Sequence, residues 1–204
     1  MPHETPHPKP LGLRRREVVK VLLEDRGELL VIAGLGAPAW DLSACGDHPL
    51  NYPMWGAMGG AAMMGLGLAL AQASRRVLVI TGDGEMLMGL GSLSTIGISG
   101  VGNLRVVVLD NESYGETGQQ ETATARGVSL SGVARACGIP DSFDVTTMDE
   151  VWALRTRIHT ATSCVFAQVK IDPEKLALVL PPRHSGHLKH RLRIALLGDS
   201  ALHD

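Results

Sequence analysis

The clearest pattern in the chain is a pair of apolar runs that each end in a short polar motif. The first run, residues 77–81, is followed by a Gly-Asp-Gly motif centred on Asp83, and the second, residues 104–110, is followed by Asn111. Residues 86–98 between them are long enough to form one crossover helix. A strand, a helix and a strand in this order nearly always form a right-handed unit with parallel strands. If the strands are neighbours, Asp83 and Asn111 leave the same sheet edge about 5 Å apart.

The rest of the chain continues this alternation of strand and helix patterns, which predicts an α/β fold. We expect a single doubly wound, mostly parallel sheet with helices on both faces. Residues 14–172 should form this domain, residues 1–13 a disordered proline-rich segment, and residues 173–204 a C-terminal tail. The further predicted helices cover 14–26, 58–72, 130–136 and 148–160, and the further predicted strands cover 28–33, 51–55, 142–145 and 164–171.

The polar residues at the two strand ends suit a bound cation and a phosphate group. One carboxylate and one amide oxygen at this spacing favour a hard cation such as Mg²⁺, which keeps other positions for water and phosphate oxygens. The glycines beside Asp83 allow the backbone to approach a bulky anion, and the following helix offers N–H groups to a diphosphate. The alternative is a simple left-handed turn at Gly82 and Gly84 with Asn111 as a turn residue.

The Gly-Asp-Gly motif and Asn111, 28 positions after Asp83, resemble the thiamine-diphosphate signature. The resemblance implies that Asp83, Asn111 and the main-chain carbonyl of Ser113 hold the Mg²⁺ that binds the diphosphate of the cofactor. It also assigns three neighbours of Asp83 to the cofactor site, namely Gly82, Gly84 and Glu85.

The segment around Met58, Trp-Gly-Ala-Met-Gly-Gly, resembles a second conserved part of thiamine-diphosphate enzymes. The resemblance implies that Met58 wedges under the thiazolium ring and bends the cofactor, and that the carbonyl of Gly56 receives its 4′-amino group. A flexible, polarisable methionine can fill such a gap. The alternative is that Met58, Met63 and Met64 only line a buried helix face.

The loop after Asn111 resembles that of thiamine-diphosphate decarboxylases of sulfopyruvate and phosphonopyruvate. Gln119 stands where that group carries a second glycine. The resemblance covers residues 17–171 and places Tyr114 beside the cofactor. Tyr114 and Glu116 then either act on the reacting carbons as acid, base or hydrogen-bond donor, or only close the loop.

The length of 204 residues gives room for one domain, and its motifs match the diphosphate-binding half of such an enzyme. No segment resembles the half that binds the aminopyrimidine and supplies an activating glutamate. The resemblance therefore implies a β-type subunit that works with a separate pyrimidine-domain (α-type) subunit and self-associates in its absence. The expected reaction is decarboxylation of a small anionic 2-oxo acid to an aldehyde and CO₂.

Two other classes of function fit the same motifs. One is a subunit of a different thiamine-diphosphate enzyme, such as a ligase or a 2-oxoacid oxidoreductase. The other is a protein that binds the cofactor as a carrier or sensor without catalysis. The three cysteines have no cluster spacing, which counts against an iron–sulfur oxidoreductase subunit.

Composition and charge exclude several kinds of partner. A net charge of −2 and 3% aromatic residues give no case for nucleic acid or membrane binding. The uncharged stretches 49–74 and 86–104 are interpreted as buried helices, since glycines and a proline interrupt them. No targeting signal is visible, which predicts a cytoplasmic location.

The basic tail allows more than one interpretation. Histidines recur every three residues at His184, His187 and His190 among arginines and lysines. A solvated segment that docks on a partner subunit is favoured over a metal site, because neither a fourth ligand nor a defined helix face is evident. A sharper hypothesis is that these cations steer an anionic substrate.

Overall fold

A computed structural model describes residues 12–203 of the chain. The predicted disorder of residues 1–13 lies outside this range except for Gly12 and Leu13, and Leu13 forms an isolated parallel bridge with Ile171. The helices are α1 Arg15–Leu22, α2 Ala37–Ala44, α3 Ala61–Ala71, α4 Asp83–Met88, α5 Ser92–Ser99, α6 Leu130–Ala136, α7 Met148–Thr160 and α8 Ser185–Leu197. The strands are β1 Leu30–Ala33, β2 Asn51–Pro53, β3 Val77–Gly82, β4 Leu104–Asp110, β5 Ser113–Tyr114, β6 Gln120–Glu121, β7 Asp141–Val145 and β8 Val165–Lys170.

Six of the strands form one parallel sheet in the order β2-β1-β3-β4-β8-β7. Strands β3 and β4 are neighbours, with Gly82 opposite Leu109, so the residues that follow them leave the same edge of the sheet together. The short strands β5 and β6 form a separate antiparallel hairpin after β4. The prediction of a doubly wound parallel sheet is confirmed.

Helices cover both faces of the sheet and create two apolar cores. Helices α1, α2 and α7 pack on one face, and α3, α5 and α6 pack on the other. The central strands are therefore buried on both sides, and all seven residues of β4 are buried. This burial explains why β3 and β4 appear in the sequence as continuous apolar runs rather than alternating ones.

The prediction of one crossover helix over residues 86–98 is wrong. The chain forms two short helices there, α4 and α5, separated at Gly89 to Gly91. The break lies where the backbones of Gly89 and Gly59 come close together. A Cβ on Gly89 would lie only 2.3 Å from the carbonyl oxygen of Gly59. The interpretation of the uncharged stretches as buried helices is also partly wrong, since Met63, Leu70 and Ile98 are exposed.

The C-terminal tail contains regular structure, which the sequence pattern did not predict. Helix α8 packs beside the edge strand β2 through Leu188 and Leu192, and Arg191 Nη1 lies 2.5 Å from Asp47 Oδ2. A short 3₁₀ turn, Gly198–Leu202, follows it. Within the described part of the chain, none of the helices has the length and apolar character needed to cross a bilayer.

Candidate active site

A cavity of about 380 Å³ opens where β1, β3 and β4 end. Its walls come from the loops that follow these strands, from the β5–β6 hairpin and from the segment after β8. All but one of the site residues predicted from the sequence line this cavity, namely Met58, Gly82, Asp83, Gly84, Glu85, Asn111, Ser113, Tyr114 and Glu116. The exception is Gly56, which is exposed and lies two residues before Met58.

Asp83 is the buried carboxylate at the centre of this site, with 2% of its surface exposed. Its Oδ2 accepts hydrogen bonds from the hydroxyl of Thr122 at 2.6 Å and from that of Thr124 at 3.3 Å. Burial raises the pKa of Asp83 to about 6, and the charge of Asp110 adds to the rise, while the Thr122 hydrogen bond opposes it. A buried carboxylate whose pKa is raised this far is more typical of a functional site than of an apolar core.

Asp110, the last residue of β4, is a second buried carboxylate that sequence reasoning missed. It is fully buried, and its oxygens accept hydrogen bonds from Gln168 at 2.6 Å, Lys170 at 2.7 Å and Thr124 at 2.8 Å. Lys170 also pairs with Glu112 at 2.7 Å. The ion pair with Lys170 compensates the buried charge of Asp110 and fixes the end of β4 beside Asp83.

The turn after β4 presents the other two predicted metal donors. The Oδ1 atom of Asn111 accepts a hydrogen bond from the backbone N–H of Ser113 at 3.1 Å, which closes a tight turn. Asn111 and Ser113 follow β4 at the sheet edge where Asp83 follows β3, and all three residues line the same cavity. Among residues 12–203 no group of three or more His, Cys, Asp or Glu side chains lies close enough together to hold a metal ion.

The β5–β6 hairpin closes over the cavity and rests on Gly84. A Cβ at Gly84 would lie 2.5 Å from Cε1 of Tyr114, so the glycine is needed for the tyrosine ring to pack there. On the other side of the cavity, Trp40 Nε1 donates to Glu116 Oε1 at 3.4 Å. Gln119 adopts a left-handed conformation with a φ of 63°, at the position where the resemblance predicts glycine.

Glu85 lines the cavity with a buried carboxyl group. Its Oε2 accepts a hydrogen bond from Thr81 at 2.8 Å, and backbone N–H groups of neighbouring loops also face the carboxyl group. Burial raises the pKa of Glu85, and the Thr81 hydrogen bond opposes that rise. The side chain fits only because Gly34 has no Cβ, which would clash with Oε2.

Met58 reaches the cavity from the loop before α3. Its side chain lines the cavity and is 39% exposed, so it is not part of the apolar core. The loop approaches the end of α4 closely, since Gly59 and Gly89 make a backbone contact that a Cβ on either would obstruct. The neighbouring Trp55 packs edge-to-face on Trp40 with ring centroids 5.3 Å apart.

The segment after β8 forms a wall of the cavity that sequence reasoning did not anticipate. Its members that line the cavity are Ile171, Pro173, Glu174, Lys175, Leu176 and Leu178. Glu174 accepts a hydrogen bond from the backbone N–H of Arg15 at 3.0 Å, and Arg16 Nη2 donates to the Ala177 carbonyl at 2.9 Å. These partners lie about 160 positions away along the chain, so no local pattern could have revealed them.

Comparison with known proteins agrees with this geometry. Residues 39–169 match the family model of the thiamine pyrophosphate enzyme C-terminal TPP-binding domain. The chain is 39% identical to the sulfopyruvate decarboxylase subunit beta of Methanocaldococcus jannaschii over 138 residues, which is 67% of this chain and 72% of that protein. It is 39% identical to the phosphonopyruvate decarboxylase of Streptomyces viridochromogenes over 69% of this chain and 35% of that protein.

Two further comparisons concern chain length and fold. The chain is 34% identical to the sulfopyruvate decarboxylase of Methanosarcina acetivorans over 81% of its own length but only 42% of that protein. The solved structure of benzoylformate decarboxylase from Polynucleobacter necessarius superposes with a TM-score of 0.66 at 20% identity, over 87% of this chain and 36% of that one. The latter likeness supports the fold, and the sequence relatives confirm the predicted resemblance to thiamine-diphosphate decarboxylases.

Proposed function

We propose that this chain is the diphosphate-binding subunit of a decarboxylase. It belongs to the family of thiamine pyrophosphate enzyme C-terminal TPP-binding domains. Its substrate would be a small 2-oxo acid that carries a second anionic group, with an aldehyde and CO₂ as products. The observation that carries the proposal is the convergence of Asp83, Asn111 and Ser113 at one edge of the sheet, where they line a cavity of about 380 Å³.

The residues of the cavity fit a Mg²⁺ ion and the diphosphate of thiamine diphosphate. A carboxylate, an amide oxygen and a carbonyl oxygen form the all-oxygen donor set that Mg²⁺ prefers, with positions left for phosphate oxygens and water. The metal would also relieve the unfavourable burial of the Asp83 charge. Gly82 and Gly84 would complete the surface against which the diphosphate lies.

The remaining predicted residues surround the place where the reacting carbon would sit. Met58 would support the bent cofactor, and the carbonyl of Gly56, which lies in the exposed loop before Met58, would face its amino group. Tyr114 and Glu116 line the cavity from the hairpin, where they would orient the substrate or exchange a proton with it. Once bound, the cofactor supplies the nucleophilic carbon and the electron sink for loss of CO₂, while the protein positions and shields it.

A separate pyrimidine-domain subunit would complete the active site and provide the activating glutamate. The relatives from Methanocaldococcus jannaschii and Methanococcus maripaludis are named as beta subunits, and this chain covers 72% and 80% of their lengths. The relative from Methanosarcina acetivorans is named without a subunit, and the match covers 42% of its length, as expected if it joins both halves in one polypeptide. Self-association of the isolated chain, its domain limits of 14–172 and a cytoplasmic location remain predictions.

Calorimetric titration with thiamine diphosphate in the presence of MgCl₂ tests the proposal. The chain would be titrated alone and together with a candidate pyrimidine-domain subunit, as wild type, as Asp83→Ala and as Asp149→Ala. Asp149 is exposed in the first turn of α7 and serves as the matched control. We expect Asp83→Ala to abolish binding and Asp149→Ala to leave it unchanged.

Substrate assays then separate the three classes of function. Release of CO₂ from sulfopyruvate or phosphonopyruvate by the two-subunit complex, with slower release from uncharged 2-oxo acids, would support the proposed decarboxylase. Condensation of two 2-oxo acids would indicate a ligase instead. Cofactor binding by the chain alone without any turnover would indicate a carrier or sensor, and absence of binding in every mixture would refute the whole proposal.

A further inference from the structure

We infer that Arg15 recognises the second anionic group of the substrate and so makes the active site selective for 2-oxo acids with two negative charges. The inference rests on the proposed function, because it names the residue that would select the substrate at the proposed site. Arg15 lies outside residues 39–169, which match the family model of the cofactor-binding domain. It can therefore differ between family members that share a cofactor but not a substrate.

The guanidinium group of Arg15 is held in place from one side. Arg15 is the first residue of α1, and it lines the cavity although it is only 7% exposed. Its Nε atom donates a hydrogen bond to Oδ2 of Asp41, which is fully buried in α2. Neither Nη1 nor Nη2 makes a hydrogen bond within the described part of the chain. Buried donors without a protein partner favour a ligand that supplies acceptors.

The ion pairs around Asp41 leave a net positive charge beside the cavity. Asp41 carries one negative charge but pairs with two arginines, since Arg16 Nε also lies 3.0 Å from its Oδ1. A charge that is buried is screened by salt much less than a charge on the surface. The planar fork of a guanidinium group matches the oxygens of a sulfonate or phosphonate group. Arg15 therefore offers both the charge and the shape that such a group requires.

The other charged residues of the cavity single out Arg15 as the anion partner. Among the described residues, the only cations that line the cavity are Arg15 and the exposed Lys175, and none of the basic residues of α8 does so. Glu174 is the lining carboxylate that contacts Arg15. Its Oε1 accepts the backbone N–H of Arg15 at 3.0 Å, and Arg14 Nε lies 3.6 Å from its Oε2, so its charge is partly compensated. The remaining lining carboxylates are Asp83, Glu85 and Glu116.

Replacement of Arg15 tests the inference through substrate selection. The complex with the pyrimidine-domain subunit would be assayed for kcat/KM with sulfopyruvate and with pyruvate, which has only one anionic group. We expect Arg15→Gln to lower the sulfopyruvate-to-pyruvate ratio of kcat/KM by about tenfold to 100-fold, the range for loss of a hydrogen bond between charged groups. Arg15→Lys keeps the charge without the fork, so its ratio should lie between those of wild type and Arg15→Gln.

Arg16→Gln is the matched control, because it removes an equal charge from the same carboxylate at a residue that does not line the cavity. Its ratio should stay within about threefold of wild type, since the loss of one Asp41 ion pair does not by itself affect substrate choice. If Arg15→Gln fails to fold, as judged by circular dichroism, Arg15→Lys alone decides. An unchanged ratio in the Arg15 variants, or an equal fall in Arg16→Gln, would overturn the inference while the proposed function stands.

Binding measurements give a readout that does not depend on turnover. The complex loaded with cofactor would be titrated with 3-sulfopropanoate, which has both anionic groups but no keto group, and with propanoate. We expect Arg15→Gln to weaken binding of 3-sulfopropanoate by about tenfold or more and to leave the affinities for propanoate and thiamine diphosphate unchanged. Loss of cofactor affinity would show that Arg15 contacts the cofactor and would overturn the inference. Absence of CO₂ release by wild type from any 2-oxo acid would overturn the proposed function, whereas the titration would still decide the role of Arg15.

Discussion

Replacement of Gly84 by alanine tests how tightly the β5–β6 hairpin packs over the cofactor cavity. A Cβ at this position would lie 2.5 Å from Cε1 and 2.6 Å from Cδ1 of Tyr114. Carbon atoms without a bond between them prefer about 3.5–4.0 Å, so the ring has to move by about 1 Å. Forcing an extra methyl group into a packed site typically costs about 1–3 kcal/mol.

Helix propensity acts in the opposite direction at this position. Alanine is better than glycine in a helix interior by about 1 kcal/mol, which is an upper limit for Gly84 because it is the second residue of α4. Because the clash with Tyr114 exceeds this gain, we expect Gly84→Ala to lower the free energy of unfolding by about 1 kcal/mol. For a chain of this size the melting temperature should fall by about 2–4 °C, measured by circular dichroism at fixed pH without cofactor.

Gly67→Ala is the matched control for this experiment. Gly67 lies in the middle of α3, and a Cβ there would meet no atom within 4 Å. Only the helix propensity applies, so its melting temperature should rise by about 2–3 °C. In a Tyr114→Ala background, Gly84→Ala should become stabilising as well. If Gly84→Ala raises the melting temperature as much as Gly67→Ala does, the packing of Tyr114 on Gly84 is refuted.

Three further predictions concern stability and are checked by chemical denaturation. Burial holds the pKa of Asp83 at about 6 instead of 3.8, so the folded chain binds the proton more tightly than the unfolded chain and loses stability as pH rises between these values. Without metal, Asp83→Asn should therefore have a larger free energy of unfolding than wild type at pH 7, by up to about 3 kcal/mol. This difference should shrink toward pH 4. Equal stability of the two proteins at pH 7 would contradict the raised pKa. Because Gln119 has a φ of 63°, the free energy of unfolding of Gln119→Gly should stay within about 1 kcal/mol of wild type, whereas that of Gln119→Val should fall by more than about 1 kcal/mol. Similar results for both variants would argue against a left-handed conformation at this residue. Arg105 is buried and donates hydrogen bonds to five backbone carbonyls, so Arg105→Met should destabilise the chain by about 3 kcal/mol or more. A loss of stability below about 1 kcal/mol would show that water replaces these bonds.

Much of the candidate site follows from the sequence, because parallel strands impose a simple rule. Two strands that pair in a parallel sheet and are joined by a crossover must end at the same edge. The apolar runs before Asp83 and Asn111 identified such a pair, and the structure places Gly82 opposite Leu109. The residues around these two positions share a cavity for the same reason.

The sequence was a poorer guide to which apolar residues are buried and where helices end. Absence of charge over residues 86–104 suggested one buried helix, but Ile98 is exposed and the helix breaks near Gly89. The break depends on the approach of the Gly59 backbone from another loop, which helix periodicity cannot show. The exposure of Ile98 depends on which elements pack beside α5 in space.

The sequence alone determined the two apolar strands β3 and β4 and the chemistry that follows each of them, since strand burial and motif spacing are local properties. Only the tertiary structure decided what surrounds that chemistry. Thr122 reaches Asp83 across 39 positions, and Glu174 reaches Arg15 across 159. Such contacts leave no periodic or local signal, because a hydrogen bond between distant residues depends on where the fold places both ends of the chain.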